Sequence, residues 1–329
     1  MDKKILILFD HRPGNNNQSI ALAEEIGLKY KIANIEYNHL AKLPNILLKK
    51  SLNIITKNSK DNLYHILDNF NPDIVISCGR RLAIIAVTIK KILKIKPIMI
   101  QIMNPMMNFK NFDHIILPYH DKLPKYKKFN NNIIYINGAL NKINNKNLNI
   151  AVSKFKNDFN NIKKNKLALI IGGKTRDFDI DNSTIKKLVN FINEIANNNN
   201  YYIFILNSRR TSPQISKFIK NNISCDYKFF DYNHVKENNP YLAILAYSDF
   251  LIVSPDSISM ISECCSTNKP TYVFKCKKNT SQKHQNFVKY MIERNFLMEL
   301  NLDQNYLNGF TPKIFQETKR IALIIKNLI

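Results

Sequence analysis

The sequence predicts an α/β protein of two Rossmann-like domains, on three observations. Short runs of β-branched and large apolar residues recur along the chain, each closed by polar or turn residues. Continuous apolar runs of that length suit strands covered on both faces, as in parallel sheets. Segments with helical spacing separate the runs, and this alternation occurs twice, on either side of an Asn/Lys-rich seam. The 329 residues are about twice the length of one ordinary domain, which agrees with two.

In the first half the runs are Ile5–Phe9, Ile32–Ile35, Ile74–Ser77, Ile98–Ile102, Ile115–Leu117 and Ile133–Ile136. Gln18–Ile26 and Arg81–Leu93 read as crossover helices. In doubly wound sheets ligands sit beyond the carboxyl ends of strands, so the residues after each run are the candidates. After the first comes Asp10-His11-Arg12-Pro13-Gly14, then an Asn run and Gln18. Gly14 suits a tight turn, and Arg12 with helix-start amides suits an anion. No GxGxxG is present, so the ordinary dinucleotide fingerprint is absent. After the third run, Gly79-Arg80-Arg81 sets two cations at a helix start, a place that disfavours them unless an anion is bound. After the fifth, His120 and Asp121 are candidates for a general base, as is Asp10.

The seam, Asn141–Lys166, reads as a linker and a helix opening the second half. The runs resume at Leu167–Ile171, Tyr202–Leu206, Tyr227–Phe230, Phe250–Val253 and Thr271–Phe274, with helices at Asn182–Ala196 and Ser257–Thr267. Gly172-Gly173-Lys174 offers backbone donors and an ammonium but lacks the P-loop pattern. Ser208-Arg209-Arg210 pairs bidentate donors with a hydroxyl, a phosphate-recognising combination. Residues 233–239 read as a polar loop. Ser254-Pro255-Asp256-Ser257 follows the Phe250–Val253 run and opens a helix. There Asp256, Ser259 and Glu263 share one face by their spacing, and Ile258, Ile261 and Cys265 another. The amides suit a diphosphate, and a carboxylate two turns in suits ribose hydroxyls. Thr311-Pro312 is a helix-opening pair, and Ile314, Thr318, Ile321, Ile325 and Leu328 follow at helical spacing. The expected division is therefore 1–145, 146–310, and a terminal helix over 311–329 packed back on the first domain.

Composition narrows the function classes. With 45% hydrophobic and 22% charged residues the chain is neither disordered nor fibrous. The net charge of +24 favours anionic partners. The abundance of Asn, Lys and Ile, only 7 Gly and no Trp match the bias of an AT-rich genome, and the lysines are scattered along the chain. Compositional drift is thus the first reading of the charge, an anionic membrane surface the second. No basic stripe interleaved with aromatics supports nucleic acid. Five cysteines without CxxC or Cys/His ligand spacing indicate neither disulfides nor a metal, and no cofactor is expected. The start has too short an apolar run for a signal peptide, and no stretch reaches the length of about 18 apolar residues that spanning requires. The expected place is cytoplasmic, with peripheral association at the inner face of the membrane as an extension.

Several segments together resemble the Elm-type family, bacterial relatives of a plant mitochondrial fission factor. They are Asp10…Gly14…Gln18, Cys78-Gly79-Arg80-Arg81, Gly138-Ala139-Leu140, Ile171-Gly172-Gly173, Ser208-Arg209-Arg210-Thr211, Glu237-Asn238-Asn239-Pro240-Tyr241 and Asp256 through Glu263. The match runs in order from about residue 5 to 275. It departs at His11 and Asn15, where the family has Gly and His, and at Asn268, where it has Gly before Lys-Pro. That family is in turn similar to GT-B glycosyltransferases. The run Ser262–Pro270 resembles the nucleotide-sugar helix of MurG-like transferases and their epimerase relatives.

The resemblance implies two Rossmann-like domains facing a cleft. It places a nucleotide-sugar against Gly172, Gly173, Lys174, Ser208, Arg209, Arg210, Asp256, Ser257, Ser259 and Glu263, with Glu263 on the ribose. An acceptor would lie against Arg12, Gly14, Gln18, Gly79, Arg80 and Arg81. The implied activity is metal-independent glycosyl transfer or an epimerase-like reaction. The alternative is a non-catalytic, membrane-proximal recruitment protein, the role associated with the plant relative.

Overall fold

The structure, a computed structural model, describes residues 3–43, 48, 51–124, 126, 131–175, 178–235, 238–276 and 281–329. The chain forms two compact units, Met1–Lys142 with Gln316–Ile329, and Ile143–Phe315.

In the first unit the order is β1 (Ile5–Phe9), α1 (Pro13–Ile26), β2 (Tyr30–Asn34), α2 (Lys57–Phe70), β3 (Ile74–Cys78), α3 (Arg80–Ile92), β4 (Ile98–Ile102), β5 (His114–Pro118) and β6 (Ile133–Ile136). The second unit begins with α4 (Asn145–Lys154), α5 (Lys156–Phe159), β7 (Asn165–Ile170), α6 (Asn182–Asn199), β8 (Tyr201–Leu206) and α7 (Pro213–Asn222). It continues with β9 (Tyr227–Phe230), α8 (Tyr241–Tyr247), β10 (Phe250–Val253), α9 (Ile258–Ser266), β11 (Thr271–Phe274), α10 (Gln282–Glu293) and β12 (Met298–Leu300). The last helix, α11 (Glu317–Leu328), belongs to the first unit and packs on α1.

Each unit is built on a parallel six-stranded sheet, β2-β1-β3-β4-β5-β6 and β12-β11-β10-β7-β8-β9. This is the expected α/β class. The apolar runs are continuous because both sheet faces are covered. In β1, Leu6 and Leu8 join one core cluster while Ile5 and Ile7 join another, and all four are fully buried. The strand order reverses between β1 and β3 in the first sheet and between β7 and β10 in the second. Those two switch points are where crevices open in such sheets.

The structure moves three elements from their expected places. Gly14 lies in the first turn of α1, behind Pro13 at the helix start, and makes no tight turn; a side chain there would meet nothing. The terminal helix begins at Glu317, not at Thr311. The preceding segment is held to the second unit, where Lys313 N donates to Asn295 O and Phe315 N to the Asn268 side chain, with Phe315 buried beneath. Asp256 precedes α9 and therefore shares no helical face with Ser259 and Glu263. The seam holds two helices, α4 and α5; Phe155 between them and Phe159 at the end of α5 enter the core.

Candidate functional site

At the switch point of the second sheet, the loops after β7, β8 and β10 are tied into one knot. Asp256, 2% exposed, is its centre. Ser254 Oγ donates to Asp256 Oδ1 at 2.6 Å, and Arg210 Nη2 donates to Oδ2 at 2.6 Å. Gly173 N donates to the same Oδ2 at 3.2 Å, and Gly172 N donates to Ser254 Oγ at 2.7 Å. Lys174 N is taken by the Arg210 carbonyl. Both glycines are required by crowding. A Cβ on Gly172 would overlap the Asp256 carboxylate, and one on Gly173 the backbone of Arg210.

The amides of Gly172 and Gly173, expected to face a phosphate, are thus spent inside the protein. So is the Arg210 guanidinium, because a buried carboxylate needs a cation or several donors and here has both. Around the knot, Ser208 shapes the turn: its Oγ accepts from Arg210 N while its own N donates to Thr211. Arg209 points out of this turn, exposed. The Lys174 ammonium is exposed too, 4.0 Å from Asp179.

The helix α9 starts beside this knot. Ser257 caps it, its Oγ accepting from Met260 N at 3.3 Å, and Ser259 is half-buried. Two turns in, Tyr241 at the start of α8 donates its hydroxyl to Glu263 Oε2 at 2.7 Å. The other oxygen, Oε1, takes no protein donor among the described residues. Burial pushes the Glu263 carboxyl up to about 7, with the Tyr241 hydroxyl pulling the other way.

A cavity of about 610 Å³ opens at the carboxyl ends of β10 and β11. Pro255, Phe274, Cys276, Gln282, Gln285 and Asn286 are among the residues that line it, so amide groups stand among apolar walls, with the charged Lys275, Lys289, Glu293 and Glu299 also in the lining. Glu263 is not part of this lining. All five cysteines are free thiols.

The switch point of the first sheet is organised around Asp10. Its Oδ1 accepts from Arg12 N at 2.9 Å and its Oδ2 from the Tyr37 hydroxyl at 3.1 Å. The Arg81 guanidinium lies over the Tyr37 ring, 5.5 Å from its centroid. Burial lowers the Arg81 pKa, and the neighbouring Arg12 and Arg80 lower it further. Arg12 and Arg80 are thus within electrostatic reach of Arg81. Gly79 caps α3 at φ +82, where only glycine is at ease, and a Cβ there would also press on Asn15. Arg80 donates to Leu43 O. Asp10, His11, Tyr37 and Arg81 border a second cavity, of about 550 Å³. Gln18 is buried on α1 with its amide nitrogen against the sulfurs of Cys78 and Met103.

His120 and Asp121 stand on a short 3-10 turn after β5. Strands β3 and β4 separate β5 from β1, so this pair belongs to a different place on the sheet edge from Asp10. Of the expected polar loop 233–239 and the motif ending at Tyr241, residues 236 and 237, Glu237 among them, lie outside the described residues.

Sequence reasoning missed Tyr37, Ser254 and Tyr241 as site members. Tyr37 sits 27 residues from Asp10 with no motif around it. Ser254 and Tyr241 stood inside quoted motifs, and what would have singled them out is a buried carboxylate's need for donors.

Comparison with known proteins bears on the family and the fold. The family profile described as Mitochondrial fission ELM1 matches residues 13–329. The protein RP120 of Rickettsia prowazekii (strain Madrid E) is 34% identical over 98% of this chain and 97% of its own length. The mitochondrial fission protein ELM1 of Arabidopsis thaliana is 28% identical over 61% of this chain, covering 51% of the plant protein. Among solved structures, UDP-GlcNAc 2-epimerase from Methanocaldococcus jannaschii is similar with a TM-score of 0.62 at 15% identity, over 98% of this chain and 99% of that one. The same enzyme in complex with UDP-GlcNAc and UDP gives 0.53 at 16%, over 99% of each chain. The epimerase from Neisseria meningitidis bound to UDP-GlcNAc gives 0.51 at 16%, over 98% and 100%. At such identity these likenesses are of fold, the GT-B-like pair of Rossmann-like units.

Proposed function

The chain belongs to the mitochondrial fission ELM1 family, and from that premise we propose that its second unit binds a nucleoside diphosphate sugar. The observation that carries this reading is Glu263. It is a half-buried carboxylate two turns into the helix that opens at the β7/β10 switch point, held by Tyr241 through one oxygen with the other left for a ligand. Adjacent ribose hydroxyls are the ligand groups that match a fixed carboxylate acceptor. From Ser257 to Glu263 the helix rises about 9 Å, enough to set a diphosphate at its amino terminus while the ribose meets Glu263.

The diphosphate is received by the α9 amides with Ser257 and Ser259, and by the exposed Arg209 and Lys174. Gly172, Gly173, Arg210 and Asp256 support that loop from behind instead of touching the ligand. The amide-lined cavity beyond Pro255 takes the sugar. UDP-GlcNAc, the molecule in two of the epimerase complexes of similar fold, is chemistry of this kind. If a second substrate is bound, its place is the first unit's own switch point, where Arg81 borders the cavity beside Asp10 and the Arg12 amide donates to the Asp10 carboxylate.

Titration calorimetry with UDP and UDP-GlcNAc tests the proposal. Saturable one-to-one heat is expected with both. No heat with either, up to millimolar ligand, overturns it.

A further inference from the structure

We infer that the amino-terminal edge of the first sheet docks on an anionic lipid bilayer. Every strand of that sheet is parallel, so all strand starts and the ends of the preceding helices meet on one edge. Four lysines that are distant in sequence meet on that edge. Lys29 precedes β2, Lys91 and Lys94 precede β4, and Lys110 precedes β5; all four are exposed. From β2 to β5 they span four inter-strand spacings, about 19 Å.

Two aliphatic side chains project among these cations. Ile95 is 71% exposed and Ile92 40% exposed at the tip between α3 and β4. An exposed isoleucine ringed by lysines is costly in water and well placed at a lipid interface, where the apolar group enters the acyl boundary and the ammoniums meet phosphates.

The carboxylates of this edge do not cancel the field. Asp113 pairs with Lys90 at 3.0 Å and accepts from Met99 N, and Asp73 accepts from Lys4 N. Glu24, in the last turn of α1, pairs with Lys142 at 3.3 Å. Its neighbour Glu25, half-buried, and Asp68, exposed in the last turn of α2, are outnumbered by the four exposed lysines. Two further lysines are also engaged, Lys96 capping α3 through the Leu93 carbonyl and Lys3 on the Ile329 carbonyl. The cations of this edge are lysines, without an arginine among them. Nucleic-acid surfaces favour arginine forks and stacking rings, whereas a diffuse lysine field with aliphatic tips fits a bilayer. Among the described residues no helix is long and apolar enough to cross a membrane, so the contact is peripheral.

Vesicle sedimentation of the full chain tests this. Vesicles of phosphatidylcholine alone are compared with vesicles containing about one-third phosphatidylglycerol at low salt. Binding to the anionic vesicles only, lost as salt rises, is expected. The double change Lys91→Glu, Lys94→Glu is expected to weaken it at least tenfold, and Ile95→Ser severalfold. The matched reversal Lys186→Glu, Lys217→Glu in the second unit changes net charge equally and is expected to leave it within about twofold. All these side chains are exposed, and unchanged circular dichroism melting verifies the fold. No sedimentation with anionic vesicles overturns the inference. Equal losses from both double variants overturn it in favour of bulk charge. Tight binding of a single-stranded RNA oligomer that the edge variants abolish, without vesicle binding, overturns it in favour of nucleic acid.

Discussion

Arg210 and Asp256 form an ion pair at 2.6 Å in which the carboxylate side chain is wholly buried and the guanidinium about one-third exposed. The pair locks the loops after β8 and β10 to the glycines after β7. Removing the cation leaves a buried charge with only a hydroxyl and one amide, so Arg210→Ala is expected to cost about 3–5 kcal/mol of unfolding free energy. Arg209→Ala, one residue earlier and exposed, should stay within about 0.5 kcal/mol. Urea denaturation of the two variants checks the contrast.

The same knot sorts the glycines. Gly172→Ala and Gly173→Ala push a methyl into the Asp256 carboxylate and the Arg210 backbone, and each should destabilise by about 2–4 kcal/mol or prevent folding. Gly14→Ala, in a helix turn with open space around it, should be neutral or gain up to about 1 kcal/mol. Thermal melts of the three variants decide the order.

Much of this architecture was legible from residue type and spacing. Runs such as Ile98–Ile102 and Thr271–Phe274 coincide with their strands, because a strand covered on both faces is mostly apolar, and its buried polar members, Gln101 and Thr271, are hydrogen-bonded within the protein. Helices α2, α7 and α10 were less visible, since Lys and Asn dilute their apolar stripes; α8 is a seven-residue run, YLAILAY, with no polar face to mark its period, and β12 is a three-residue edge strand with a glutamate inside it. At the site, the paired glycines and arginines were found, but not which of them serve the fold. A Gly-Gly after a strand reads alike whether its amides face a phosphate or a buried aspartate. Only the three-dimensional partner, Asp256 with Ser254, separates the two.

The Lys269 ammonium fills the carboxyl end of α8, donating to the carbonyls of Leu245, Ala246 and Ser248. Burial pulls its pKa down to about 8 while those acceptors hold the charge in place. Lys269→Met keeps the length and strands the three carbonyls, so a loss of about 2–3 kcal/mol is expected in denaturant titration. Next to it, Asn268 has φ +57 and its side chain accepts from Phe315 N. Asn268→Ala should be worse than Asn268→Gly, which relieves the backbone while losing the same bond.

Glu263 carries a pH signature. Unfolded, its carboxyl titrates near 4.5; folded, burial raises it to about 7. The folded chain therefore binds more protons between those values. The stability this group confers is complete below about 4.5 and is lost as pH rises through about 7. The gap in stability between wild type and Glu263→Gln should shift in that direction over the same window. Ligand binding runs oppositely, because ribose hydroxyls need the ionised acceptor. Between pH 6 and 8 the affinity for UDP-GlcNAc, whose diphosphate does not titrate there, should rise about tenfold, and Glu263→Gln should be flat.

The affinity of Glu263→Ala for UDP-GlcNAc, set against wild type by calorimetry at pH 8, addresses the nucleotide site most directly. A lost charge-assisted hydrogen bond predicts a fall of about 1.5–3 kcal/mol with the melting transition retained. Wild-type affinity in a folded Glu263→Ala chain would contradict the assignment and leave the Tyr241–Glu263 bond as a packing feature alone.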